Sequence, residues 1–219
     1  MRAVRELDYH PNTAARSLAS PVLRTVGVLF RRQRSTIDAN DLDYVDGIRR
    51  ALEPSGLQVV IPIMTFSAPL IELRSLVRSG SLGGVILMDV SQGDEREAML
   101  LEEKIPTVLI GSSGCTVGAP GVDTDFAQMA HEAVEHLAGL GHRRIVALMR
   151  ETSADDAHAR QDQAQELLRA AVDLGVDVLV RQVPELALAG SEIVGADGLV
   201  EGRSAVVSNN PAALVGLAC

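Results

Sequence analysis

The chain is poor in aromatic residues and in cysteine. It has no tryptophan, 2% aromatic residues and only two cysteines, Cys115 and Cys219, among 219 residues. Aliphatic side chains must therefore pack the core, and a hydrophobic share of 47% is ample for one. Two cysteines far apart form neither a metal-binding spacing nor a disulfide framework, which is typical of a reducing compartment. We predict a cytoplasmic protein without metal or cofactor.

Long apolar runs and export signals are also absent. No apolar run approaches the roughly 20 residues that cross a bilayer. The first residues, Met1-Arg2-Ala3-Val4-Arg5-Glu6, lead into charge rather than into the apolar stretch of a signal peptide. We therefore expect no membrane partner and no export.

The motifs of common enzymes are missing as well. Neither G-x-G-x-x-G nor G-x-x-x-x-G-K-[ST] occurs where a phosphate would need it. The run 111–115, Gly-Ser-Ser-Gly-Cys, lacks the G-x-S-x-G spacing of a nucleophile turn. His131 and His136 are five residues apart, so they do not share one face of a helix as a metal pair would. We predict that the protein is not an enzyme.

Charge is distributed unevenly along the chain. The net charge is −9, yet the first 34 residues carry only two acids, Glu6 and Asp8, beside seven arginines: Arg2, Arg5, Arg16, Arg24, Arg31, Arg32 and Arg34. This asymmetry indicates a basic arm on an acidic globule. A solvated basic face is the alternative.

Short apolar runs alternate with helical patterns, which favours βαβ units and parallel sheets. Glycines 56, 80, 141 and 175 follow predicted helices, where glycine commonly ends a helix. The predicted strands are 25–30, 58–64, 84–88, 107–110, 144–149, 178–183 and 205–208. The predicted helices are 41–54, 69–79, 94–103, 126–140 and 157–174, with a weaker one at 191–201.

Residues 9–20 carry the most specific pattern. Pro11 disfavours helix at His10, and Asn12 can cap a new short helix over residues 13–18 before Pro21 ends it. A helix this short is marginal by itself in water and needs a partner.

This string, Y-x-P-N-x-x-A-R-S-L before R-T-V-G-V, resembles the hinge-helix junction of the lactose-repressor/galactose-repressor family of bacterial transcription factors. Similarity continues through 122–125, 133–145 and 206–214. The resemblance implies an α/β, two-lobed, periplasmic-binding-protein-like fold of parallel sheets flanked by helices. Its expected parts are residues 1–22 (the end of a DNA-binding headpiece and the hinge helix), 23–124 (the N-terminal lobe) and 125–219 (a C-terminal lobe that we expect to be incomplete).

The resemblance also implies how the hinge would bind operator DNA. In the family, a leucine at the position of Leu18 wedges between base steps of the minor groove, which kinks the duplex. Arg16 would lie near the phosphates, and Asn12 and Ala15 belong to the same contact segment. The alternative is that Leu18 only packs the linker against the first lobe.

Four residues are the candidates for effector binding that the resemblance implies: Asp125, Arg160, Asn209 and Asn210. Asp125 and Asn209 match positions of the family, and Asn210 stands where Asp is common. Asp125 could instead only cap a helix. The ligand-holding Arg of the family aligns with Gln161 and Gln163 here, and the adjacent Arg160 could be out of register. Gly111 and Ser112 stand where the family usually has Asp and Arg.

The resemblance thus implies a ligand-responsive regulator, a repressor, that senses a small carbohydrate-like effector. It also implies a homodimer, with helices 41–54 and 69–79 as contributors. The alternatives are a stand-alone solute-binding module and a non-functional remnant.

Overall fold

The computed structural model describes residues 24–31, 39–64, 68–151, 158–184, 186–196 and 204–217. Its described residues form two compact units. The first comprises residues up to Met88, Gly93–Ile110 and Cys115–Val122, and the second comprises Asp89–Gln92, Gly111–Gly114 and the chain from Asp123 onward. The division of the chain at 22 and at 124 stays a prediction.

The first unit alternates strands and helices. Its strands are β1 (Thr25–Leu29), β2 (Gln58–Val60), β3 (Gly84–Leu87), β4 (Thr107–Ile110) and β5 (Gly121–Val122). Its helices are α1 (Ala39–Leu52), followed by a 3₁₀ turn (Glu53–Ser55), α2 (Pro69–Arg78) and α3 (Glu95–Glu102). The strands form one parallel sheet in the order β2-β1-β3-β4-β5.

The core of the first unit is aliphatic, as the scarcity of aromatic residues predicts. Leu29 of β1, Leu87 of β3 and Leu100 of α3 are fully buried. Helix α2 buries Leu73 and Val77, which lie four residues apart and therefore share one face of the helix.

The second unit repeats this arrangement on a smaller sheet. It contains α4 (Phe126–Gly139), β6 (Arg144–Arg150), α5 (His158–Leu174), β7 (Asp177–Val183), α6 (Ala187–Ala196), β8 (Ser204–Ser208) and α7 (Pro211–Leu217). The strands are parallel in the order β7-β6-β8.

The sequence of strand β6 is apolar at consecutive positions because both faces of the strand are buried. Ile145, Ala147 and Met149 belong to one buried cluster with residues of α4 and α5. Val146 and Leu148 lie in a second cluster with Ile193 of α6 and Leu217 of α7. Because side chains alternate between the faces of a strand, both faces of this sheet are covered by helices.

Most elements lie within a few residues of their predicted positions, and the four glycines predicted to end helices have positive φ angles of 66°, 69°, 92° and 63°. Three details differ. The second strand ends at Val60 and not at 64, because Pro62 has no N–H for a ladder. Helix α6 begins at Ala187 and not at 191. Strand β5 was not predicted.

The described residues include no helix with the length and apolar character needed to cross a membrane.

Candidate functional site

Polar side chains gather at the carboxyl edge of the second sheet. Strand β6 ends at Arg150, and Asn209 and Asn210 follow β8 directly. The carboxyl ends of parallel strands are the usual place for ligands in open α/β sheets. This edge is therefore the first candidate for an effector site.

Asn209 is held at this edge by two hydrogen bonds. The Arg150 N–H donates to Asn209 Oδ1 at 2.9 Å. Asn209 Nδ2 donates to Gln163 Oε1 of α5 at 2.5 Å. Asn209 and Gln163 are both half-buried, so the fold brings β6, β8 and α5 together around one carboxamide.

Asn210, the neighbouring residue, has a different environment. It is fully buried, and its Nδ2 donates to the carbonyl oxygens of Val183 at 3.2 Å and Pro184 at 3.1 Å. Its Oδ1 accepts from the Ala213 N–H at 3.1 Å in the first turn of α7. The geometry gives Asn210 a structural role in joining β7 to α7. Its predicted contact with an effector stays a prediction.

Asp125 caps a helix, as the alternative interpretation of the sequence predicted. Its Oδ1 accepts from the Gln128 N–H at 2.9 Å, and the residue is exposed at the start of α4. This bond satisfies one of the free N–H groups of the first turn. A role of Asp125 in binding an effector is untested by this contact.

The other predicted site residues lie partly or wholly outside the described part of the structure. Arg160 lies in α5, but its side chain is outside the described part of the structure. The predicted DNA contacts Asn12, Ala15, Arg16 and Leu18 also lie outside the described residues.

A buried ion pair, which the sequence did not indicate, lies at the carboxyl edge of the first sheet. Arg96 of α3 donates to both oxygens of Asp94, at 3.0 and 2.8 Å. It also donates to the carbonyl oxygens of Leu29 at 3.4 Å and Met88 at 2.9 Å, so it joins α3 to the ends of β1 and β3. Arg31 lies 3.5 Å from Asp94 and is 30% exposed.

The second carboxamide, Gln163, was also missed as a site residue. Asn209 and Gln163 are 46 residues apart in the chain, so their contact depends on tertiary packing. The signal in the sequence was the alignment of Gln161 and Gln163 with the ligand-holding Arg that the resemblance implies.

The edge of the second sheet offers neutral hydrogen-bonding groups. Among the described residues, no three His, Cys, Asp or Glu side chains are grouped so that they could hold a metal ion. A carboxamide such as that of Asn209 both donates and accepts hydrogen bonds, as do the hydroxyl groups of a sugar.

Known proteins are similar to this chain in sequence and in fold. No family model matches the chain. Catabolite control protein A of Priestia megaterium is 26% identical over 183 residues, which are 81% of this chain and 52% of that protein. The regulator CelR of Thermobifida fusca is 29% identical over 154 residues, which are 67% of this chain and 44% of that protein. The chain is thus similar in sequence to bacterial transcriptional regulators.

Solved structures of LacI-family regulators have the same fold. The Lac repressor dimer bound to operator and the anti-inducer ONPF superimposes with a TM-score of 0.76 at 18% identity, covering 96% of this chain and 73% of that one. The CelR–cellobiose complex gives 0.72 at 23% identity, covering 99% and 66%. The chain spans about half the length of the curated relatives that it matches.

Proposed function

We propose that this chain is the effector-sensing part of a ligand-responsive transcriptional regulator of the lactose-repressor (LacI) family, a repressor, and not an enzyme. The observation that carries the proposal is the fixed carboxamide of Asn209 at the carboxyl edge of the second sheet. The similarity to transcriptional regulators supplies the regulatory context. Because its target is DNA, the regulator would act in the cytoplasm.

The effector in this proposal is a small neutral carbohydrate. The support is chemical, since Asn209 and Gln163 are uncharged and match the mixed donor and acceptor character of hydroxyl groups. The CelR–cellobiose complex is an example of a related regulator with a bound sugar. Of the four predicted effector residues, Asn209 is the one whose described geometry supports contact with a ligand.

The proposal assigns operator binding to residues 1–22, with Asn12, Ala15, Arg16 and Leu18 as the DNA contacts. Effector binding would change operator affinity through a coupling between the two sites. The regulator would act as a homodimer. Ile71 supports this, because it is an exposed apolar side chain on α2, one of the two helices expected at the interface.

The regulatory function can be tested with a chimera that carries the DNA-binding headpiece of Thermobifida fusca CelR in front of this chain. Its affinity for the CelR operator is measured with and without cellobiose and maltose. We expect a sugar to change operator affinity, and Leu18→Ala to weaken operator binding while leaving sugar affinity intact. Sugar binding without any change in operator affinity would instead support a stand-alone solute-binding module.

A further inference from the structure

One main-chain group fixes the polarity of the hydrogen bonds around Asn209. The N–H of Arg150 can only donate, so the Asn209 atom that it contacts is Oδ1. Nδ2 is then the atom that faces Gln163, and an N–H needs an acceptor, so Gln163 turns Oε1 toward it. The order of donors and acceptors from β6 to α5 therefore follows from Arg150.

These two bonds hold opposite ends of the Asn209 carboxamide. Rotation of the side chain by 180° would place Nδ2 against the Arg150 N–H and Oδ1 against Gln163 Oε1, so both hydrogen bonds would be lost. Each bonded atom of Asn209 still has one further hydrogen-bonding position, an N–H on Nδ2 and a lone pair on Oδ1. The amide would therefore present a donor and an acceptor to a ligand in a fixed order.

We propose that Gln163 is a positioning residue for effector recognition: it restrains the carboxamide of Asn209 in the orientation that the Arg150 N–H sets, and this restraint sharpens the preference of the site for one hydroxyl pattern. The inference rests on the proposed sugar-binding function. Gln163 acts through Asn209, so the atom that matters on Gln163 is the acceptor Oε1.

Three substitutions separate this role from general effects on the helix. Gln163→Leu removes the acceptor atom, whereas Gln163→Glu keeps an acceptor oxygen on a side chain of the same length. Gln165→Leu is the matched control, because Gln165 lies on the same helix and is exposed. Cellobiose and maltose are the probes, and calorimetric titration of the 219-residue chain gives the affinity for each.

We expect Gln163→Leu to weaken the preferred sugar by about three- to tenfold, the effect of losing one ordinary hydrogen bond. The ratio of the two sugar affinities should narrow toward one in this variant. Gln163→Glu should restore the wild-type ratio, and Gln165→Leu should keep it. A role of Gln163 in stability alone would lower the melting temperature without changing the ratio.

A ligand-free measurement makes the test independent of affinity. The ¹⁵N-resolved NMR signals of the Asn209 side-chain amide should shift in Gln163→Leu and stay in place in Gln165→Leu. Unchanged signals, or an unchanged ratio of the two sugar affinities in Gln163→Leu, would overturn this inference and leave the proposed function standing. If the wild-type chain binds no sugar of a panel of neutral mono- and disaccharides that includes these two, the proposed function fails and the inference fails with it.

Discussion

A β-carbon on Gly216 of α7 would stand 1.7 Å from the carbonyl oxygen of Ala187 in α6. The approach is reciprocal, because a β-carbon on Gly190 of α6 would lie 1.9 Å from the carbonyl oxygen of Ala213 in α7. The Ser191 hydroxyl also donates to the Gly216 carbonyl at 2.8 Å. The two helices thus cross with their backbones in contact, which only glycine permits at these positions.

Gly216→Ala should therefore destabilise the second unit, because the helices must separate to admit a methyl group. We expect a loss of about 1–3 kcal/mol or more in the free energy of unfolding, the usual range for overpacking. Urea denaturation followed by circular dichroism measures it. Gly139→Ala is the control, since a β-carbon there meets nothing within 4 Å. Equal stability of the two variants would contradict the close crossing.

Arg96→Leu should destabilise the first unit strongly. The substitution leaves the Asp94 carboxylate, which is 4% exposed, without its main charged partner. Removing one member of a buried pair typically costs about 3–5 kcal/mol. Arg31→Leu should cost less than about 1 kcal/mol, because Arg31 is more exposed and its contact is longer. The prediction is wrong if the two substitutions cost the same in urea denaturation.

Asn210→Ala should mainly lower the stability of the fold, whereas Asn209→Ala should mainly lower the affinity for sugar. Asn210→Ala leaves buried backbone groups of Val183, Pro184 and Ala213 without the amide that they contact. We expect a loss of about 1–3 kcal/mol in stability, the range for unsatisfied buried groups. Asn209→Ala should mainly lower sugar affinity. Thermal unfolding and calorimetric titration of both variants test this, and a reversed pattern would refute it.

The ion pair of Arg78 and Glu103 should make stability depend on pH. The hydrogen bond from Arg78 lowers the pKa of Glu103 below its ordinary value of 4.5. A lowered pKa stabilises the fold above pH 4.5, and this contribution disappears as the pH falls through the lowered value. The melting temperature of Glu103→Gln should thus lie slightly below wild type at neutral pH and converge with it in acid. A difference that persists in acid would contradict the assignment.

Ile71→Glu should weaken self-association if α2 lies at a dimer interface. Ile71 is 73% exposed, and a buried unpaired carboxylate at an interface would be costly. Ile63→Glu is the matched control, because Ile63 is 88% exposed in the same unit and lies outside α2. Sedimentation velocity measures the effect. If Ile71→Glu weakens the dimer no more than Ile63→Glu does, the face of α2 that carries Ile71 is not the dimer interface.

The fold could be predicted largely because its signals are local. The apolar run of β6 and the glycines after the helices each predict the local structure of their own segment. The structure confirms this strand and these helix ends. Strand β5 was missed because it has only two residues, both exposed, and pairs with one neighbour. The early start of α6 was missed because its crossing at Gly190 depends on α7, far along the chain.

The candidate site was harder to predict because its contacts are tertiary. Asn209 was predicted from its match to an effector-binding position of the family, but its neighbour Asn210 has the same residue type and a buried, structural environment. Arg96 carries no motif, and the alignment of Gln163 with a family position does not show that it contacts Asn209. Their roles follow from strand ends and helix starts that meet only in the folded chain.

The most direct test of the account is a calorimetric titration of the 219-residue chain and its Asn209→Ala variant with a panel of neutral mono- and disaccharides that includes cellobiose and maltose. The account predicts saturable binding of at least one sugar by the wild-type chain, with the affinity reduced about tenfold or more in Asn209→Ala. Absence of binding across the panel, or equal affinity in the two proteins, would contradict it.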